Sequence, residues 1–303
     1  MLLDRIEWII LPDPASAAAA LQTGEVDWWR TAIPDLAPVL RRNRNVVVEI
    51  ADTFGQVGIL RINHLYPPFN DVRARRAILT ALSQEDFMQA YVGDDAMLWK
   101  PMPGFFPPGT PLYNEEGGEI LKGPRNFEAA KRLLADSGYA GQPIILLATQ
   151  DVTHLKVWSD VTADLLKRLG MKVDFVALDF ATVSTRRMSK SPPDQGGWHM
   201  FPTVNTGIAC VNPATYPTLR ANGDDALFGW PNNPPVEAEI AAWFEAMTLD
   251  EEKAVARRLN KAALDHVVYA PLGFFLQHQA WRKNVTGIVK GPLPFFWGVG
   301  KTV

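Results

Sequence analysis

PIILLATQDVTHLKVWSDVTADLLKRLGMKVDFVAL, residues 143–178, changes its hydrophobic period twice. Residues 144–149 are continuously apolar, as in strands covered on both faces of an α/β sheet. From Leu155 the spacing lengthens: Leu155, Trp158, Val161, Leu165 and Leu169 fall on one side of a helix. MKVDFVAL then alternates as a second strand, and Asp179 opens another helix. A strand, helix and strand in that order predict an α/β lobe with a parallel pair.

Upstream, RIEWII (5–10) has the alternation of a strand, and Asp13-Pro14 followed by an alanine run and Gly24 marks a helix. VDWW resumes an extended path, PDLAPVLRRN is a short helix, and NVVVEI and VGILRIN are strands. Pro67 and Pro68 exclude helix from HLYPPFND; helices follow after Asn70 or Asp71 and after Ser83. Residues 94–125 form a long Pro/Gly-rich loop, of a length that is functional or wrapped against the body. NFEAAKRLLADSGY is a helix capped by Asn126. Downstream, WHMF is a strand running into PTVNTG, PPVEAEIAAWFEAM is a helix, and Thr248 with Glu251 makes a capping box for another. APLGFFLQHQAW reads as a closing strand before an aromatic tail.

The composition excludes several functions. Of 303 residues 47% are hydrophobic and 21% charged, with a formal net charge of -3, and no basic run beyond RRNR at 41–44 offers itself to nucleic acid. That tetrad reads as a solvated loop. One cysteine excludes an internal disulfide and a Cys-rich zinc site. No apolar run is long enough to span a membrane, and Asp4, Arg5 and Glu7 stand where a signal peptide needs an apolar core. Hydrolase, zinc-protease, P-loop and dinucleotide motifs are absent, and the five histidines never pair at metal-ligand spacing within a helix. No catalytic residue, metal or cofactor is expected.

Two places read as a binding site. At 149–154 (TQDVTH) a buried strand hands over to a helix, where ligands collect in α/β sheets; Gln150, Asp151 and His154 stand there. Asp151 or Thr153 acting simply as a helix cap is the competing reading. The second place is GGWHMFPTVNTGIACVNP, 196–213, where Trp198 would stack on a ligand and Thr203 and Asn205 would hydrogen-bond to it. Trp198 as plain core competes there, and Cys210 reads as a wall residue, since an unpaired cysteine is most often a small buried hydrophobe. Both places end strands and are expected to share one cleft.

LPDPASAAAALQTGEVDW (11–28), INHLYPPFNDVRARRAILTAL (62–82), NFEAAKRLLADSGY (126–139), LLKRLGMKVDF (165–175) and VKGPLPFFW (289–297) together resemble family 5, the peptide/nickel class of ABC-importer substrate-binding proteins. Their order and spacing extend over essentially the whole chain. The resemblance implies a two-lobed fold of the type II periplasmic binding proteins, with one lobe incomplete: 1–60 in lobe I, 61–270 as lobe II, 271–303 returning to lobe I. Gly58–Asn63 and Tyr269–Phe274 would be the hinge. It also implies a periplasmic receptor that delivers a small solute to a membrane permease without itself inserting in the membrane. The signal peptide and first part of lobe I would precede Met1, leaving apolar surface near Trp8, Trp28, Trp29 and Phe295–Trp297 and a tendency to associate. A ligand-sensing domain of a regulator, or an enzyme on the same fold, are the other classes this architecture serves.

In this family, dipeptide binders set an acid against the peptide amine in the segment matching 196–213, and an arginine against its carboxylate after the central strand. Here no acid lies between Trp198 and Pro213, and Gln150-Asp151 stand in the arginine's neighbourhood. Each missing charge-assisted hydrogen bond is worth about 1.5 to 3 kcal/mol. A peptide-like or other neutral or cationic solute is therefore expected, with Asp151 as the one charge for an amine.

Overall fold

The computed structural model describes residues 2–302. Its centre is a six-stranded mixed sheet with spatial order β4-β8-β3-β7-β5-β6: β3 (Gln56–Ile62), β4 (Trp99–Lys100), β5 (Ile144–Thr149), β6 (Val173–Leu178), β7 (Met200–Thr206) and β8 (Ala270–Phe275). β5 and β6 run parallel in register from Ile144↔Val173 to Thr149↔Leu178, joined by helix α7 (Thr153–Arg168). Every residue of β5 is buried. The expected β-α-β unit is present; its helix starts at Thr153, two residues before the apolar spacing that begins at Leu155, and its second strand at Val173.

Pleating assigns each residue a face. A Cβ added at Gly58 would lie 3.1 Å from the Trp158 ring, so this face of β3 packs on α7 and on α4 (Gln84–Val92). Met200, on the same face, joins Leu146, Trp158 and Phe275 in the main core. On the opposite face, Ile145, Leu147, Trp198, Phe201 and Trp230 enclose Val183 of α8 (Phe180–Arg186). Helix α3 (Val72–Ala81) packs with α6 (Phe127–Asp136), and α9 (Pro234–Phe244) with α10 (Leu249–His266). Side-chain caps at Asp71, Ser83, Asn126, Asp179 and Asn233, and the Thr248–Glu251 capping box, fix these helix starts. Between α4 and α6 the chain is mostly irregular apart from β4 and a short helix α5 (Glu119–Lys122), yet Met102, Phe105 and Phe106 are fully buried. The long loop is wrapped against the body.

A smaller unit contains α1 (Pro14–Thr23), α2 (Ala37–Arg41) and a three-stranded sheet in the order β1 (Trp28–Ala32), β9 (His278–Arg282), β2 (Val46–Glu49). Beside it β10 (Val285–Thr286) pairs with β11 (Gly300–Lys301). Its core is small: Ala18, Leu21, Ala32, Leu40, Val46 and Ala280.

Three expectations change. RIEWII joins no ladder; residues 5–10 lie along this unit without a strand partner. APLGFFLQHQAW is two strands in two sheets, because the chain leaves the large sheet after Phe275 and enters the small one at His278. Residues 58–62 and 270–274, expected as hinge, are instead paired inside the six-stranded sheet. The chain passes between the sheets at 50–55 and 276–277.

Candidate ligand-binding site

At the end of β5, the Gln150 backbone N–H donates to Leu178 O at 2.9 Å and its side-chain amide to Ala148 O at 3.2 Å. Helix α7 has Val152 at its N-cap and no side-chain cap, so neither Asp151 nor Thr153 caps it. Asp151 Oδ1 instead accepts from Phe180 N at 2.8 Å, the first amide of α8. The parallel register that sets Thr149 beside Leu178 brings 151 next to 180. His154 turns toward the α7 face, where Tyr91, Trp158 and Phe275 surround it with ring centroids at 5.3, 5.3 and 6.0 Å. Its Nε2 has no partner among the described residues, and burial lowers its pKa to about 4. The imidazole is neutral at neutral pH.

Along β7 the residues turn the other way. Trp198 is completely buried, edge-on to Phe201 at 4.9 Å and tilted against Trp230 at 5.9 Å. The plain-core reading describes it; no face of the ring is open for stacking. His199 is satisfied: Ile145 N donates to its Nδ1 at 2.9 Å, and its Nε2 lies 3.2 Å from Pro67 O. Those partners fix a neutral tautomer with the proton on Nε2, and burial lowers the pKa to about 4. Thr203 is buried opposite Ile59. Asn205 is half-buried, its amide hydrogen-bonded to Thr218 Oγ1. Cys210 lies buried beside Asn205 and Tyr216, and desolvation pushes its thiol up to about 12. A thiol so held is not a nucleophile at neutral pH.

The residues expected to share one cleft are therefore dispersed. Gln150 and Asp151 follow the end of β5, Thr203 and Asn205 lie on the Phe201 face of β7, and Cys210 belongs with Tyr216 to the main core, whereas His154 lies among the rings on the α7 side and Trp198 is sealed within the α8-side core. Sequence reasoning missed the group beneath Asn205. Arg61 is fully buried and donates to Phe228 O at 2.6 Å, Thr218 O at 2.8 Å and Leu227 O at 3.1 Å. Among the described residues it has no carboxylate partner, and burial lowers its pKa to about 10. Tyr216 and Tyr269 share a hydroxyl contact beside it. This set ties the loop around 216–230 to β3 and holds Thr218 against Asn205. A lone arginine inside the apolar run VGILRIN was the signal.

A cavity of about 690 Å³ lies elsewhere, between residues 3–11 and β1. Among the described residues no cluster of His, Cys, Asp or Glu is placed to hold a metal ion, and no helix is long and apolar enough to cross a membrane.

A mixed sheet with helices on both faces is thus joined by two chain crossings to a smaller sheet. The chain belongs to the bacterial extracellular solute-binding proteins, family 5: the model of that family's middle part matches residues 2–224. It is similar to the probable peptide ABC transporter periplasmic-binding protein y4tO of Sinorhizobium fredii (strain NBRC 101917 / NGR234), 35% identical over 301 residues, covering 99% of this chain and 56% of the relative. The periplasmic oligopeptide-binding protein OppA of Escherichia coli (strain K12) is 26% identical over 206 residues, 65% of this chain and 37% of OppA. Among solved structures, the dipeptide binding protein from Pseudoalteromonas sp. SM9913 in complex with Met-Leu shares the fold with TM-score 0.78 at 18% identity, over 97% of this chain and 58% of that one. AgaA from A. tumefaciens R10 in complex with agropinic acid does so with TM-score 0.79 at 20% identity, over 94% and 56%. The chain spans about half the length of the curated relatives it matches.

Proposed function

We propose that this chain forms part of a periplasmic solute receptor of an ABC importer, which holds a small solute between two lobes and presents it to a membrane permease. The observation that carries the reading is the family match together with 35% identity to a peptide-transporter binding protein along 99% of the chain. In this reading the larger lobe is built on the six-stranded sheet and the smaller on β1, β9 and β2, and the crossings at 50–55 and 276–277 absorb the closing rotation.

The solute meets the rim where β5 and β7 end. Gln150 and Asn205 offer amide groups, Thr203 and Cys210 form the wall, and Asp151 keeps one carboxylate oxygen for an amine while the other caps α8. His154 and Trp198 support this rim from within the cores. Gln150 and Asp151 follow β5, and among the described residues no cation stands there to meet a free carboxylate, so a neutral or cationic solute suits the rim better than a zwitterionic dipeptide. Cys210 and the histidines, held as neutral thiol and imidazoles, fit binding without covalent chemistry.

Thermal denaturation with free dipeptides, their C-terminally amidated counterparts and simple amines tests the specificity. Amidated or cationic compounds should raise the Tm more than free dipeptides. A free dipeptide that stabilises best contradicts the assignment.

A further inference from the structure

Loop 216–233 is tied at its base to two histidines. The His64 backbone N–H donates to Gly229 O at 2.8 Å, and Asn233 Nδ2 lies 3.0 Å from His266 Nδ1. Asn233 is also the N-cap of α9: its Oδ1 accepts from Val236 N at 3.0 Å, while its backbone N–H donates to Ala221 O at 2.8 Å. One side chain thus closes the loop, starts α9 and leans on the last residue of α10. An amide nitrogen only donates, so His266 Nδ1 is the acceptor and the neutral ring carries its proton on Nε2. The rings of His64 and His266 lie 5.4 Å apart, and neither Nε2 has a partner among the described residues.

We propose that this cluster is an acid-released latch on loop 216–233. A proton arriving at His266 Nδ1 takes the lone pair that Asn233 uses and expels its amide. The resulting imidazolium faces Arg75 Nη2, 3.4 Å from the same nitrogen and held there by His266 O at 2.8 Å. Asn233 then loses the contact that orients it, α9 loses its cap, and the loop opens. The surroundings supply no compensating anion. His64 from the segment after β3, Arg75 from α3 and Asn233 before α9 face His266, and Arg61 from β3 stands by His64. Asp71 acts on Arg75, exposed Asp265 pairs with Arg76 and Lys261, and Glu237 of α9 is taken by Arg220. Burial, then Arg75, lowers the His266 pKa from 6.5 to about 4. The latch is therefore whole above pH 6.5 and weakens as pH falls toward 4. Opening withdraws Thr218 from Asn205 and from Arg61, which loosens the rim. The latch itself involves no solute, so its failure would leave the receptor reading untouched.

Hydrogen exchange read by mass spectrometry, corrected for intrinsic exchange at each pH, tests the latch on the full chain. From pH 7 to pH 5 the protection of 216–236 should fall on the order of tenfold, as a proton-binding difference between 6.5 and about 4 requires, with 144–149 still protected. His266→Asn places an uncharged acceptor near the site of Nδ1 and should remove most of that loss. Asn233→Asp keeps the α9 cap and gives the imidazolium a carboxylate, so protection should no longer fall. His154→Phe, on the α7 side, should leave the loss in the loop as it is in the parent. Protection of 216–236 that does not change between the two pH values overturns the proposal. So does a loss of the same size in His266→Asn, a loss that His154→Phe abolishes, or exchange of the loop and 144–149 together.

Discussion

The Asp151 carboxylate accepts a hydrogen bond from the backbone N–H of Phe180 at 2.8 Å, so the second residue after β5 caps the helix after β6. Two consecutive crossovers are thereby fastened at the rim where the solute is proposed to lie. Asp179 caps the same helix through Thr182 N at 2.8 Å, so α8 starts under two carboxylates, favourable at the positive end of a helix.

Asp151→Ala should lower stability by about 1 kcal/mol, the usual worth of an N-terminal cap. Urea denaturation measures the loss. Asp151→Asn, which retains an acceptor, should restore most of it.

Arg61→Met should cost far more. It leaves the carbonyls of Thr218, Leu227 and Phe228 without donors inside the body. A loss of about 3 to 5 kcal/mol is expected in chemical denaturation, and hydrogen exchange around 216–230 should rise first.

Acid should destabilise the protein through its buried histidines. His154 titrates near 6.5 when unfolded and at about 4 when folded. Between those values the unfolded chain binds a proton that the folded one does not, so this contribution is whole above pH 6.5 and fades as pH falls toward 4. It amounts to about 3 kcal/mol for His154. His154→Phe, measured by denaturation across that range, should flatten the pH dependence. His199 adds to the same slope, because a proton on its Nδ1 expels the Ile145 N–H donor.

The Cys210 thiol should resist a disulfide reagent at pH 8 in the native protein and react fully in denaturant, since burial holds its pKa at about 12. Rapid native labelling would contradict the enclosed geometry beside Tyr216 and Asn205.

The architecture was legible wherever one residue's neighbours along the chain decide its state. The continuous apolar run 144–149, the helical stripe ending at Leu169 and the caps at Asn126 and Thr248 each name an element without reference to the rest of the fold. The site was less legible because its placement depends on long-range register. Asp151 looks like a cap for the helix beginning two residues later; only the parallel pairing of Thr149 with Leu178 shows that it serves α8. Trp198 could be wall or core until Phe201 and Trp230 close on it. The break at Leu276–Gln277 left no local mark, since both flanking runs read as strand and only their different partners, β3 for the first and β1 and β2 for the second, separate them. RIEWII alternates correctly, but alternation supplies a face and not a neighbour.

Native mass spectrometry of gently purified protein, followed by identification of any molecule released on denaturation, tests the central claim most directly. The account predicts a stoichiometric, non-covalent small solute, neutral or cationic, whose occupancy falls about five- to tenfold in Asn205→Ala and in Gln150→Ala, as the loss of one hydrogen bond of about 1 kcal/mol implies. A bound solute indifferent to both substitutions, or protein that stays empty when offered the solutes of its cell extract, would contradict it.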